Sequence, residues 1–167
     1  MLTRRQKKLA KIVGLVALLS LVQTCSAIKI ASAQCVPNSF PSNWLQQQES
    51  LGGHTISRHV GKTDQQLFNR LINSPRISAA STYPNLSTAS TNIQNALRAN
   101  STMLNRWVVG AAIGEKRVVD YATNAVVGRV ASRPPSLSNI ANSRKLRAVM
   151  KKTAQGDCLL LTSYPAR

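Results

Sequence analysis

Carboxylates are scarce in this sequence: Glu49, Asp64, Glu115, Asp120 and Asp157 stand against 22 Lys and Arg in 167 residues. Acids so few and so scattered exclude a two-metal nuclease, a paired-carboxylate glycosidase and a calcium site, which all need carboxylates in groups. The chain has only two histidines and three cysteines, and no Cys or acidic cluster stands beside the histidines to make zinc ligands of them. Neither a metal nor a cofactor is therefore expected. Aromatic residues make up 4%, so the core must be built from Leu, Val, Ile and Ala. What abounds is positive charge. A formal net charge of +17 calls for a polyanionic partner: nucleic acid, phospholipid or an acidic polymer.

Part of that charge belongs to the N-terminus. Arg4, Arg5, Lys7, Lys8 and Lys11 precede an apolar run from Ile12 to Val22, too short to span a bilayer comfortably, and small residues follow. Residues 1–33 read as a signal peptide. Ala31-Ser32-Ala33 places cleavage before Gln34; Cys25-Ser26-Ala27 is a weaker cleavage alternative, and lipidation at Cys25 or an uncleaved anchor are the others. The expectation is an exported protein, periplasmic or secreted, with no stable membrane insertion once the signal is cleaved. Cleavage removes six basic residues and no acidic one, leaving sixteen basic against five acidic, so the basic character belongs to the mature domain. Two cysteines remain, Cys35 and Cys158, and an even count in an exported chain predicts one disulfide.

Residues 34–48 form a lead-in to a single domain over 49–167. Pro37, Asn38, Pro41 and Ser42 make its first part irregular, and from Trp44 a helical pattern begins that Gly52-Gly53 can split in two. A second helix is capped at Thr63 or Asp64, repeats Leu67, Phe68, Leu71 and Ile72, and stops at Pro75. Residues 77–83 predict a short strand before the Pro84-Asn85 turn. Ala89, Ile93, Ala96, Leu97, Met103 and Leu104 mark a third helix reaching towards Trp107. Beyond it the period shifts to two, with strands expected over 107–112, 117–122, 126–131, 146–152 and 158–163. Helices followed by an antiparallel sheet make the class α+β. Trp44, Tyr83, Trp107 and Tyr121 are assigned to the core rather than to base stacking.

Both histidines lie in Gly52-Gly53-His54-Thr55-Ile56-Ser57-Arg58-His59-Val60-Gly61-Lys62. Five residues apart, they do not share the face of a continuous helix. Their setting of glycines and of Arg58, Lys62 and Arg70 suits a phosphodiester: histidine takes the proton from a 2′-OH, and a cation holds the phosphate. Near the C-terminus, Thr162 and Tyr164 point to one face of a strand by alternation. Two hydroxyls there can orient a phosphate or a base edge, though spacing alone favours an ordinary half-buried strand.

The run from Gly52 to Leu71, the segment Arg76 to Tyr83 and the terminal Leu161-Thr162-Ser163-Tyr164-Pro165 resemble the bacterial ribonuclease A-like toxin domain, carried at the C-termini of contact-dependent growth inhibition effectors and other polymorphic toxins. The resemblance spans about residues 49–165. It implies a kidney-shaped fold with helices before a bent antiparallel sheet, and metal-independent RNA cleavage through a 2′,3′-cyclic phosphate. It also implies an active site of histidine, arginine, threonine and tyrosine. By motif the histidine falls on His54 or His59, with His59 preferred as base beside Gly61-Lys62; the arginine falls on Arg70, and the hydroxyls on Thr162 and Tyr164. The vertebrate ribonuclease A pattern has a second histidine on its late strand, and this chain has none there.

Arg58, Lys62, Arg76 and Lys151 are the expected substrate-binding cations. Arg144, Lys145, Arg147, Lys151 and Lys152, with Arg129 and Arg133 on a neighbouring strand, form either a groove for an RNA backbone or solvated strand faces. The expected partners are an RNA substrate and a cognate immunity protein, with the domain itself monomeric. The rival reading is a catalytically silent basic exported protein that binds nucleic acid or another polyanion.

Overall fold

The structure, a computed structural model, describes residues 33–167. The expected signal peptide, Cys25 included, falls outside the described residues except for Ala33. Three short helices come first, α1 (Trp44–Ser50), α2 (Thr55–His59) and α3 (Asp64–Asn73). Strand β1 (Ala79–Thr82) and helices α4 (Leu86–Ala99) and α5 (Ser101–Gly110) follow, then β2 (Lys116–Ala122), β3 (Gly128–Ser132), β4 (Ile140–Ser143), β5 (Lys145–Lys152) and β6 (Cys158–Ala166). This is the expected α+β class.

Local chemistry sets the helix boundaries. The break between α1 and α2 falls at Gly52, whose φ is +104°, and at Gly53, where a Cβ would sit 2.7 Å from the carbonyl oxygens of both Gln48 and Leu160. Only glycine lets the chain turn there and pass so close to β6. Thr63 caps α3 through a complete capping box with Gln66. The buried stripe of α3 is narrower than its sequence pattern. Leu67 and Leu71 pack on Ala80 and Ala131 in a small second core, while Phe68 is half-buried and Ile72 exposed.

Several expectations are corrected. The third helix is two helices, divided at Asn100. Where a strand is expected over 107–112, residues 107–110 are instead the last turn of α5, because Leu104 and Val108 continue a helical i, i+4 stripe into the core. The β-branched pair Val108-Val109 mimics a strand locally. Strand β4 was not predicted; it is a short edge strand with an exposed, polar middle. The boundary expected between residues 48 and 49 falls inside α1. Cys35 and Val36 are buried in the main core, with both their N–H groups donating to Asn105 Oδ1 at 2.9 Å.

Two three-stranded antiparallel sheets replace the single sheet, in the orders β1-β3-β4 and β2-β5-β6. They meet along β6, which lies against β1 and β3. Gly128 permits this approach, since a Cβ there would collide with the Thr82 carbonyl and the Pro165 ring. On the second sheet Leu146, Ala148, Met150 and Val119 are buried, and α4 packs against β2 and β5.

The opposite face of that sheet depends on a bulge. Val149 pairs with Thr162 but Met150 pairs with Leu160, leaving Leu161 as an extra residue in β6. Counted by strict alternation from Leu160, Thr162 and Tyr164 would point into the core. The extra residue reverses their phase, so Ser163 and Pro165 face inward and Thr162 and Tyr164 face outward.

Cys35 and Cys158 form the expected disulfide, 123 residues apart in sequence. It ties the first described residues to the start of β6. Closing a loop of that length removes up to about 5 kcal/mol of unfolded-chain entropy. Replacing both cysteines by serine should therefore lower the urea midpoint strongly, and adding reductant to the native protein should reproduce the shift. Equal midpoints for the variant and the native protein would remove the disulfide from any part in stability.

Candidate active site

The residues singled out in the sequence meet at a cavity of about 610 Å³ lined by α2, α3, β1 and the outer face of β5 and β6. Helix α2 is only five residues long and is held at both ends. At its start His54 N–H donates to the Leu161 carbonyl at 3.0 Å, which the bulge in β6 presents. Ser163 N–H donates to Thr55 Oγ1 at 2.8 Å. Glu49 accepts from the Ile56 and Ser57 amides, each at 2.9 Å. Burial pushes the Glu49 carboxyl up, but these donors and nearby His54 outweigh it and hold the group below its ordinary range. At the far end Tyr83 N–H donates to the His59 carbonyl at 2.8 Å, and Gly61 N–H returns a bond to the Tyr83 carbonyl at 2.9 Å.

This double attachment lets both histidines line one cavity. His54 precedes the helix and His59 closes it, so the helical-wheel argument against a shared face does not apply. His59 is 8% exposed. Its Nδ1 lies 3.1 Å from the Ser81 carbonyl. A carbonyl only accepts, so Nδ1 carries the hydrogen and neutral His59 keeps its lone pair on Nε2. Burial pushes the His59 imidazolium down to about 4; the Ser81 carbonyl opposes the shift, and Arg70, His54 and Arg58 add to it. The Tyr164 ring lies beside His59, 5.2 Å between centroids and tilted by 33°. His54 is also pushed below its ordinary value, first by burial and then by Arg58, with Glu49 pulling the other way.

Arg70 reaches the cavity from α3, with Nη1 donating to the Arg58 carbonyl at 3.1 Å. Partial burial, then the charge of Arg58, moves its guanidinium below its ordinary range. Thr162 is nine-tenths buried, and its Oγ1 has no hydrogen-bond partner. An orphaned hydroxyl of this kind costs about 1–3 kcal/mol. Arg58 and Arg76 line the same cavity and are exposed.

Other predicted residues lie elsewhere. Lys62 borders a separate hollow with Arg58 and Arg70, its N–H donating to Thr82 Oγ1. Lys151 does not line the cavity. It pairs with Lys116 and Leu159, beyond the bulge, four residues and roughly 13 Å along β5 from Arg147. Arg129 forms an ion pair with Asp64 at 2.6 Å. Arg133 donates to the carbonyls of Ile77, Leu71 and Ser74. These contacts fasten α3 to β3 and to the residue that follows it.

Sequence reasoning missed Arg147 and Arg167 as cavity residues. Arg147 was visible only as one of several cations on a strand; its place opposite Tyr164 depends on register. Among the described residues the cavity is thus lined by five arginines, Arg58, Arg70, Arg76, Arg147 and Arg167, and by no Asp or Glu side chain. Among the described residues no three His, Cys, Asp or Glu side chains gather where they could hold a metal ion.

A family model for the bacterial CdiA-CT RNase A domain matches residues 53–165. The chain belongs to this family. It is a toxin-type ribonuclease, as the resemblance implied. A solved chain from the CdiA-CT/CdiI complex of Y. kristensenii 33638 is similar at a TM-score of 0.61 and 27% identity, over 69% of this chain and 100% of that one. Among curated proteins none matches. The family match begins at Gly53 and ends at Pro165, so it contains both histidines, Arg70, Thr162 and Tyr164.

Burial of His59 has a consequence for stability. With a folded value near 4 against an ordinary 6.5, the unfolded chain takes up a proton that the folded one refuses as pH falls through that window. Stability is full above pH 6.5 and declines by up to about 3 kcal/mol towards pH 4. Urea midpoints at pH 7 and pH 4.5 should differ less in a His59→Gln variant than in the native protein. An unchanged difference would show that His59 is not the group responsible.

Proposed function

We propose that this ribonuclease cleaves RNA without a metal ion, by attack of the 2′-OH on the adjacent phosphorus to leave a 2′,3′-cyclic phosphate. The observation that carries the reading is the pairing of His59 and Tyr164 in a cavity rich in arginine and, among the described residues, without an Asp or Glu side chain. Such a lining attracts a phosphodiester but offers no acidic side chain as ligand for a divalent cation.

Each residue has a role suited to its surroundings. His59 stays neutral at ordinary pH and accepts the 2′-OH proton on Nε2. Arg70 neutralises charge as it builds on the phosphorane oxygens. Thr162 Oγ1 has an unfilled hydrogen-bond capacity that a phosphoryl oxygen satisfies once the substrate is seated. Tyr164 supplies the proton for the departing 5′-oxygen, in place of a second histidine. His54 is poorly suited to that role at neutral pH, because its environment disfavours the protonated form; it contacts the substrate at the cavity wall. Arg58, Arg76 and Arg167 extend the positive lining along the RNA backbone.

Export of the mature domain is part of the same proposal. It is supported by the signal-like N-terminal sequence and the disulfide, which belongs to an oxidising compartment. A cognate immunity protein is proposed as partner, supported by the complex with CdiI in which the similar structure was solved.

Incubating oxidised protein with an RNA pool in EDTA tests the mechanism. Native protein should give cyclic-phosphate ends and leave DNA intact, since DNA lacks the 2′-OH. His59→Ala should lose about 10²–10⁴-fold in rate. Equal cutting of DNA, or activity lost in EDTA and restored by magnesium, overturns the mechanism. RNA binding without cleavage would favour the silent polyanion binder.

The acid limb of kcat/KM reports the base in the free enzyme. It should fall near pH 4, where His59 titrates, and not near the ordinary 6.5. An acid limb at 6.5 that persists in His59→Ala would give the base role to another group.

A further inference from the structure

One polar row crosses all three strands of the second sheet on its outer face. Asp120 on β2 pairs with Arg147 on β5, and Arg147 pairs with Tyr164 on β6. Directly paired residues project to the same face, so the three side chains stand in line. Arg147 donates from Nε and Nη2 to the two Asp120 oxygens at 2.7 and 2.8 Å. Arg147 and Tyr164 both line the cavity, whereas Asp120 stands behind them.

Stability does not explain this arrangement. The side chains of Arg147 and Asp120 are 43% and 61% exposed, and an exposed ion pair contributes about 0–1 kcal/mol. A bidentate contact does fix the plane of a guanidinium, which a lysine ammonium at the same place could not reproduce. With Nε and Nη2 turned to Asp120, Arg147 is anchored from the side away from the cavity.

We infer that Arg147, oriented by Asp120, is a positioning residue for the Tyr164 hydroxyl, setting it to deliver its proton to the leaving 5′-oxygen. The inference rests on the preceding reading that Tyr164 is the acid. In the step concerned, the 2′-oxygen forms its bond to phosphorus as Nε2 of His59 takes its proton. The P–O5′ bond breaks with its electron pair on the 5′-oxygen, and that oxygen receives the Tyr164 proton. A phenolate remains, and the guanidinium charge of Arg147 stabilises it. Asp120 above all, and also the Tyr164 oxygen, raise the affinity of Arg147 for its proton, as expected of a cation with anionic or dipolar oxygens on two sides. The cation therefore stays charged throughout the cycle.

A change of leaving group separates positioning of an acid from simple phosphate binding. The substrates are a dinucleotide, which expels a 5′-alkoxide, and a nucleoside 3′-(4-nitrophenyl phosphate), which expels a stable phenolate without a proton. Tyr164→Phe and Arg147→Ala should each lose about 100-fold or more in kcat on the dinucleotide, and only a few-fold on the aryl ester. Asp120→Asn should show the same selective loss, smaller in size. The Arg147→Ala/Tyr164→Phe pair should be no slower than Tyr164→Phe alone, because both act in one step. Arg147→Lys keeps the charge without the fork and should recover only part of the loss, with melting curves confirming a native fold for each variant.

Equal losses on both substrates would overturn the inference and make Arg147 a phosphate contact. Additive losses in the double variant would also overturn it. Both outcomes leave RNA cleavage by the native protein standing. If native protein cleaves the dinucleotide and Tyr164→Phe has no selective defect, it is the assignment of Tyr164 that fails, and this inference fails with it.

Discussion

Helix α2 has one and a half turns, too few to persist on its own, and the site depends on its being held at both ends. Its first turn is bound to β6 through the His54 and Ser163 amides, and its last residue to β1 through Ser81 and Tyr83. The two strands belong to different sheets, so the helix spans the junction between them. Its two ends place His54 and His59 on one cavity. Tyr83 consolidates the junction from below: it is fully buried, and its hydroxyl meets Ser163 Oγ at 2.7 Å. Because Ser163 itself donates to the Arg147 carbonyl, the Tyr83 hydroxyl is the donor in that pair. Burial raises the Tyr83 phenol well above its ordinary range, which keeps it a neutral structural donor.

The distribution of carboxylates explains the electrostatics of the cavity. Glu49 caps α2, and Asp64 pairs with Arg129. Glu115 accepts from the Trp107 indole and the Ala112 amide, Asp120 holds Arg147, and Asp157 accepts from Thr153. Each of the five acids is thus engaged in a structural contact, and none lines the main cavity. Positive charge is left unbalanced where a phosphodiester would lie, and it adds to the burial that chiefly holds both histidines below their ordinary range. Burial and this distribution of charge together favour a neutral base among fixed cations.

Much of the fold was legible because its signals are local. The cap at Thr63, one of the two positions expected, the Gly52-Gly53 break and the alternation in β2 and β5 act within a few residues, and they appear in the structure where the sequence placed them. Errors arose where a local pattern was ambiguous. Val108-Val109 resembles a strand, yet the burial of Leu104 and Val108 together keeps that segment helical. Arg129 and Arg133 were readable as part of a nucleic-acid groove or as solvated strand faces. Their structural partners, Asp64 and the carbonyls at the end of α3, lie far away in sequence and became visible only in the fold.

By itself the sequence determined the basic character of the domain, its α+β order, Cys35 and Cys158 as the cysteines expected to pair, and the residue types of an RNA-cleaving site. These follow from composition, short-range periodicity and motif. Tertiary structure alone decided which way those residues face and what surrounds them. The extra residue Leu161 turns Thr162 and Tyr164 away from the core, the Ser81 carbonyl selects the tautomer of His59, and strand register sets Arg147 between Asp120 and Tyr164. Each depends on hydrogen bonds between segments distant in the chain, and such pairings exist only once the sheets have formed.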